Sequence, residues 1–269
     1  MSPTVTPSNS GGAIPTRIID NVLPTWNAIA IDSVGNRHIV YHSNTNLFYA
    51  TDESGAWVTE LIQELYNVGD YADIAVDSSD NLHVSFYDAS HGDLLYATDK
   101  SGSWVISVVD DTSGVLVGQY TSIAVDSNDF VHISYHDATN EDLKYATDKS
   151  GSWVNSTLES SGQTGLQSEI IIDVHDKVHI AFYDSTLKAL QYTTDQSGIW
   201  ETILVDNIGS ASYATGGQPS IAIDSTGAIH IVHRDVTSTG IRYATCTGSC
   251  TTASSWVLSG LEATGNVGQ

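Results

Sequence analysis

The sequence predicts an all-β fold, a five-bladed β-propeller of four-stranded antiparallel blades, on three observations. One motif recurs five times: aligned on a histidine, the units fall at His38, His83, His132, His179 and His230, which are 45, 49, 47 and 51 residues apart. Each unit holds short β-branched and aromatic runs bounded by Gly, Asp, Asn and Ser, the pattern of strands and tight turns. No segment sustains the 3.6-residue apolar period of a helix. A four-stranded repeat of this length is a blade, which cannot bury both faces alone and stacks radially against its neighbours.

Within a unit the strands, named a to d from the axis outward, follow in order. In the second unit, strand a is Ile74-Ala-Val-Asp77, b is His83–Asp88, c is Leu94–Thr98 and d is Trp104–Val109. The third unit repeats this as Ile123–Asp126, His132–Asp137, Leu143–Thr147 and Trp153 onward. Strand a carries Ala30, Ala75, Ala124, Ile171 and Ala222 at one register, mostly small residues suited to a narrow axis. Arg17–Asp20 and Trp256–Ser259 both have the look of d strands, so five a–b–c sets face six candidate d strands. One terminal strand should complete the last blade; the other is surplus, or belongs to a longer array of blades. Residues 1–15 form a Ser/Thr/Pro/Gly-rich flexible tail and 16–269 a single propeller domain.

Composition narrows the function. The 32 acidic against 9 basic residues give a formal charge of −23, which repels phosphate backbones and anionic lipid. No apolar run reaches the 18 residues of a membrane helix, and no signal peptide pattern is visible. A monomer is expected, acting on a glycan or another small molecule, with no nucleic acid partner and no membrane insertion. The spacing of Cys246 and Cys250 closes a small disulfide loop, which points to an oxidising, extracellular or cell-surface setting; zinc would require two further ligands that the loop does not supply.

Between strands c and d the motif Thr-Asp-x-Ser-Gly-x-Trp recurs at Thr51–Trp57, Thr98–Trp104, Thr147–Trp153 and Thr194–Trp200. It resembles the Asp-box turns of bacterial neuraminidase repeat propellers, found in sialidases and in secreted glycan-binding or glycan-cleaving proteins. The family pattern is Ser/Thr-x-Asp-x-Gly-x-x-Trp, and the spacing here departs from it. That family grips its substrate carboxylate with three arginines, whereas this chain has only Arg17, Arg37, Arg234 and Arg242, in dissimilar places. The resemblance therefore implies an Asp-box-like scaffold without the sialidase site.

Residues present in every blade serve the blade, and residues that break the repeat are candidates for function. The five repeated histidines are read as a hydrogen-bond network with the Asp and Trp turns rather than as a metal ring. The opposite face collects the d–a and b–c loops. There the start of strand a carries Ala28, Asp73, Ser122, Glu169 and Ser220; Asp73 and Glu169 are the candidate ligands of a hard cation, Ca²⁺, at the channel mouth. Immediately after strand b come His42, Tyr87, His136, Tyr183 and Arg234. Of these, Tyr87, His136, Tyr183 and Arg234 are candidates for ligand binding, the rings by stacking on sugars. Asp88, Asp137, Asp184 and Asp235, one residue on, are expected to cap turns. The leading expectation is a secreted carbohydrate-binding module. One alternative is a calcium-dependent hydrolase of esters, lactones or phosphotriesters, with His42 or His136 moving protons. Another is a structural or adhesive surface segment.

Overall fold

The aspartate that ends strand a shows why each repeat folds as a meander. Asp77 Oδ1 accepts the N–H groups of Ser79 and Asn81, both at 2.9 Å, and its Oδ2 accepts the Asn81 side chain at 2.8 Å, closing the a–b turn. Burial pushes this carboxyl up, but those bonds outweigh it and hold it at about 2. The c–d turn works in the same way: Asp99, Asp148 and Asp195 each accept the N–H that begins strand b, from Leu82, Val131 and Val178 at 2.8 Å.

A computed structural model describes residues 25–64, 67–207, 215–235 and 240–262. It contains five four-stranded antiparallel sheets, each a consecutive meander. Blade 1 is β1 (Trp26–Ile31), β2 (Arg37–Ser43), β3 (Asn46–Thr51) and β4 (Val58–Gln63). Blade 2 is β5 (Val68–Val76), β6 (Leu82–Asp88), β7 (Asp93–Thr98) and β8 (Val105–Asp110). Blade 3 is β9 (Val117–Val125), β10 (Val131–Asp137), β11 (Asp142–Thr147) and β12 (Val154–Glu159). Blade 4 is β13 (Leu166–Ile172), β14 (Val178–Asp184), β15 (Ala189–Thr194) and β16 (Glu201–Asp206). Blade 5 is β17 (Thr215–Ile223), β18 (Ile229–Asp235), β19 (Gly240–Cys246) and β20 (Trp256–Glu262). The candidate strand at Trp256 thus completes blade 5, while Arg17–Asp20 lies outside the described residues.

The core lies between blades. Four apolar clusters join blades 1 and 2, 2 and 3, 3 and 4, and 4 and 5. One polar and aromatic relay accompanies each junction. In blade 3, His132 lies 3.3 Å from Asp126 through Nε2, and its Nδ1 accepts the Tyr145 hydroxyl at 2.5 Å. The Tyr145 ring then meets Trp200 of blade 4 edge-on, with centroids 5.0 Å apart. Tyr49–Trp104, Tyr96–Trp153 and Tyr192–Trp256 repeat the contact at 5.4, 5.1 and 4.9 Å. The histidine ring is therefore a set of separate blade staples, as the sequence suggested.

Side-chain clasps tie the turns together as well. Asp80 of blade 2 accepts the N–H and hydroxyl of Ser33 in blade 1, at 2.8 and 2.7 Å. Asp129 holds Ser78 and Asp176 holds Ser127 in the same manner, all at 2.9 Å. Between blades 4 and 5 both members are lost together, as Val174 and Gly227. There the Cys246–Cys250 disulfide loop takes over: Cys250 N–H donates to Gln196 Oε1 at 3.3 Å, and Gln196 Nε2 donates to the Gly248 carbonyl at 3.2 Å.

Among the described residues no such core joins blade 5 to blade 1. Ile29 of β1 is 60% exposed, whereas its counterparts Ile74, Ile123, Ile170 and Ile221 are 6, 5, 3 and 5% exposed. On the other side, Val232 of β18 is 40% exposed where Val40, Ser85, Ser134 and Ala181 are all at 0%. The five blades form an arc with an uncovered seam.

The buried histidines set an acid response. Burial holds His132, His136 and His179 below the ordinary histidine value, against the raising effect of their partners. A depressed folded-state value means that the unfolded chain takes up protons first as the pH falls. Their stabilisation is complete above about pH 6.5 and is lost progressively below it. Asp77 acts in a second, lower window, between the ordinary carboxylate value and about 2. Urea denaturation between pH 7.5 and 5.5 should therefore show falling stability, and His132→Gln should flatten that slope; an unchanged slope in the variant would refute the assignment.

Candidate functional site

The axial mouth is built by a bulge that four blades share. In β5, Asp70 pairs with Tyr87 and Asp73 with Ser85, so Tyr71 and Ala72 together face a single residue of β6. Register shifts recur at the same place in β9, β13 and β17. Each bulge puts a non-glycine residue in the left-handed region: Tyr71 at φ 57°, Tyr120 at 52°, Gln167 at 54° and Gln218 at 50°. Such residues are uncommon, and a strained set repeated around one opening marks a functional surface.

Two residues before each of them stands a glycine, Gly69, Gly118, Gly165 or Gly216, also at positive φ. These glycines allow close approach between blades. A Cβ on Gly118 would lie 2.8 Å from the Leu94 Cα, and one on Gly165 would lie 2.6 Å from the Leu143 Cα. The motif Gly-x-[Tyr/Gln]-x-[Asp/Ser/Glu] thus seats the blade, turns the chain and aims the third residue at the axis.

The residues so aimed line a cavity of 490 Å³. Trp26, Tyr71 and Tyr120 make a continuous aromatic shelf, with successive centroids 4.5 and 4.6 Å apart and planes tilted by 41° and 53°. Gln167 and Gln218 complete the lining opposite, joined by the Gln218 N–H to Gln167 Oε1 at 2.7 Å. Trp26 is exposed and the two tyrosines half-buried, so their ring faces meet solvent. Burial, together with the neighbouring Tyr120 phenol, pushes the Tyr71 hydroxyl well above its usual value, so it stays neutral.

Asp73 and Glu169 also line this cavity, but their carboxylates clasp neighbouring blades. Asp73 Oδ2 accepts the Ser122 hydroxyl and the Ile123 N–H, both at 2.9 Å, and Oδ1 accepts the Ile74 N–H at 2.9 Å. Glu169 Oε2 accepts the Ile221 N–H at 2.9 Å. Burial raises both carboxyls above their ordinary values. Among the described residues no three His, Cys, Asp or Glu side chains gather as a metal-ion site. The side chains as placed do not fit Ca²⁺, and a chelator is expected to leave the melting temperature unchanged.

The five residues after strand b stand one strand behind the rim. Trp26 pairs with His42, Asp70 with Tyr87, Gln119 with His136, Leu166 with Tyr183 and Gly217 with Arg234. Tyr87 and His136 are buried and back the shelf, their rings 6.2 Å from Tyr71 and Tyr120 respectively. His42 is buried between Thr25 Oγ1 at 2.6 Å and Asp70 at 2.9 Å. His136 Nδ1 donates to the Thr164 carbonyl at 2.8 Å. Tyr183 and Arg234 are half-buried in the same layer. Asp88 and Asp137 cap their turns, accepting N–H groups of Ser90 and Asn140 at 2.9 Å, and Asp184 accepts that of Leu187 at 2.8 Å.

Blades, staples and an axial cavity define a β-propeller scaffold. Neither a family model nor a curated protein matches the sequence. Solved structures resemble it closely in shape and weakly in sequence. AofleA from Arthrobotrys oligospora is 12% identical, with 90% of this chain and 73% of that chain covered at a TM-score of 0.60. The SapL1 lectin, solved with alpha methyl fucoside, is 15% identical over 88% of this chain and 80% of that chain, at 0.58. The intramolecular trans-sialidase from Ruminococcus gnavus is 8% identical over 89% and 85%, at 0.55. At these identities the likeness establishes the propeller fold alone.

Proposed function

We propose that the protein is a secreted carbohydrate-binding propeller that takes a neutral sugar on the Trp26–Tyr71–Tyr120 shelf. The observation that carries this reading is the shelf itself. Three adjoining aromatic faces stack on the apolar face of a pyranose, and the Gln167 and Gln218 amides opposite can bond its hydroxyls. Lectins among the structural neighbours support the reading, as does the disulfide at Cys246–Cys250.

The same lining argues for neutral ligands. It contains two carboxylates and neither lysine nor arginine, in a chain of net charge −23. An acidic sugar would lose hydration without gaining a cation. A hydrolase reading is weaker, because both carboxylates are already bonded to neighbouring strands. The test is Trp26 fluorescence titrated with neutral methyl glycosides and oligosaccharides, with sialyllactose as the acidic control. Saturable change with a neutral sugar and none with sialyllactose is expected. Tighter binding of sialyllactose, or no response across a neutral panel, would overturn the assignment.

A further inference from the structure

Every junction in the arc is specified by what one blade offers and the next supplies. One element of that code bears on the seam. The residue ending strand d reaches the b and c strands of the following blade. Asp110 accepts the Tyr135 hydroxyl at 2.7 Å and pairs with Lys144; Asp206 accepts Arg242 Nε at 2.5 Å and lies 3.2 Å from His233. Where the following blade instead has Phe86 or Phe182 at that register, the strand ends in Gln63 or Glu159. Aspartate therefore appears where a Tyr or His awaits it.

Blade 1 has Tyr41 at this register, 5% exposed. The chain has an aspartate to match, Asp20, at the end of Arg17-Ile-Ile-Asp20. This segment is close to Ile203-Leu-Val-Asp206, and like every d strand it precedes the a strand of the next blade. Six residues before Asp20 stands Ile14, an apolar residue where Trp104 and Trp200 precede Asp110 and Asp206. A d strand ahead of β1 belongs to a blade between blade 5 and blade 1, where the seam lies. Both walls of the seam keep the features of an internal junction. Blade 1 offers Ile29, Ile31 and Trp57, and blade 5 offers Val232, Tyr243 and the clasp serine Ser225.

We propose that the seam seats a sixth blade of the same repeat, whose outermost strand is the chain's own segment Ile14–Asp20, with Asp20 accepting the Tyr41 hydroxyl. Its first turn carries a carboxylate for Ser225, as Asp80, Asp129 and Asp176 do for the serines of blades 1 to 3.

Two measurements on the full chain test this. The first is a double-mutant cycle of Asp20→Asn and Tyr41→Phe, read as urea midpoints, with Asp110→Asn and Tyr135→Phe as the reference pair. Each single variant should lower the midpoint, and the double variant by no more than the larger single. Additive effects, or none, overturn the proposal. The second appends a copy of residues 117–147, three inner strands, after Gln269. Val232→Asp should be tolerated in the 269-residue chain and should lower the midpoint clearly in the extended one. Equal tolerance in both overturns the sixth blade. A loss already present in the shorter chain also overturns it, because blade 5 would then close directly on blade 1. Failure of the cycle is decisive whatever the extension does.

Discussion

Gly165→Ala is expected to destabilise the protein by about 3–4 kcal/mol, while Gly151→Ala costs about 1–2 kcal/mol. Both glycines are in the left-handed region, at φ 74° and 84°, so both variants carry the same backbone penalty. They differ in surroundings. A Cβ on Gly151 meets nothing within 4 Å, whereas one on Gly165 would lie 2.6 Å from the Leu143 Cα and 3.0 Å from its backbone N. Those atoms belong to a paired strand and cannot rotate away as a side-chain tip would. The excess of Gly165 over Gly151 therefore measures the closeness of blades 3 and 4. Equal losses in urea melts would mean that the blades yield, and the close approach would lose its role in placing Gln167.

Tyr120→Gly is expected to weaken sugar binding roughly tenfold to a hundredfold while changing stability by less than about 1 kcal/mol. A half-buried ring that stacks on a sugar contributes about 1.5–3 kcal/mol to binding. The same substitution relieves a left-handed tyrosine at φ 52°, which offsets the packing lost against Tyr71 and His136. A residue that serves only the fold would behave in the opposite way, losing stability and sparing the ligand. Tyr71→Gly should follow the same pattern, and Tyr120→Phe should keep most of the affinity because the stacking face survives. Calorimetric titration paired with thermal melts on each variant separates the two roles.

Much of the scaffold is legible in the sequence because it repeats. The His–Tyr–Trp staples recur at fixed spacing, and a residue seen five times in one register must answer to the blade. The disulfide was legible from two cysteines four residues apart. The rim was less so, because it depends on a bulge: two residues facing one shift the register, so counting alternate positions inward from strand b led to Tyr87, His136, Tyr183 and Arg234, one strand behind the opening. The signal that would have found it is the glycine two residues before Tyr71, Tyr120, Gln167 and Gln218. Asp73 and Glu169 drew attention as carboxylates near an axis, yet their partners are backbone N–H groups of the adjoining blade, which leave no trace in side-chain chemistry. The seam is the hardest case: nothing in blade 5 or blade 1 alone says that their outer faces do not meet.

The serine–aspartate clasps have a bearing on how such a chain can change over generations. Each bond is written half in one repeat and half in the next, so a repeat copied or exchanged singly arrives with two unmatched halves. The joint loss at Val174 and Gly227, with the Gln196 and disulfide-loop contact in its place, is what exchange of a junction as a unit would leave behind. Grafting between related propellers should accordingly succeed when the cut falls in mid-blade, carrying whole junctions, and fail when it falls between blades.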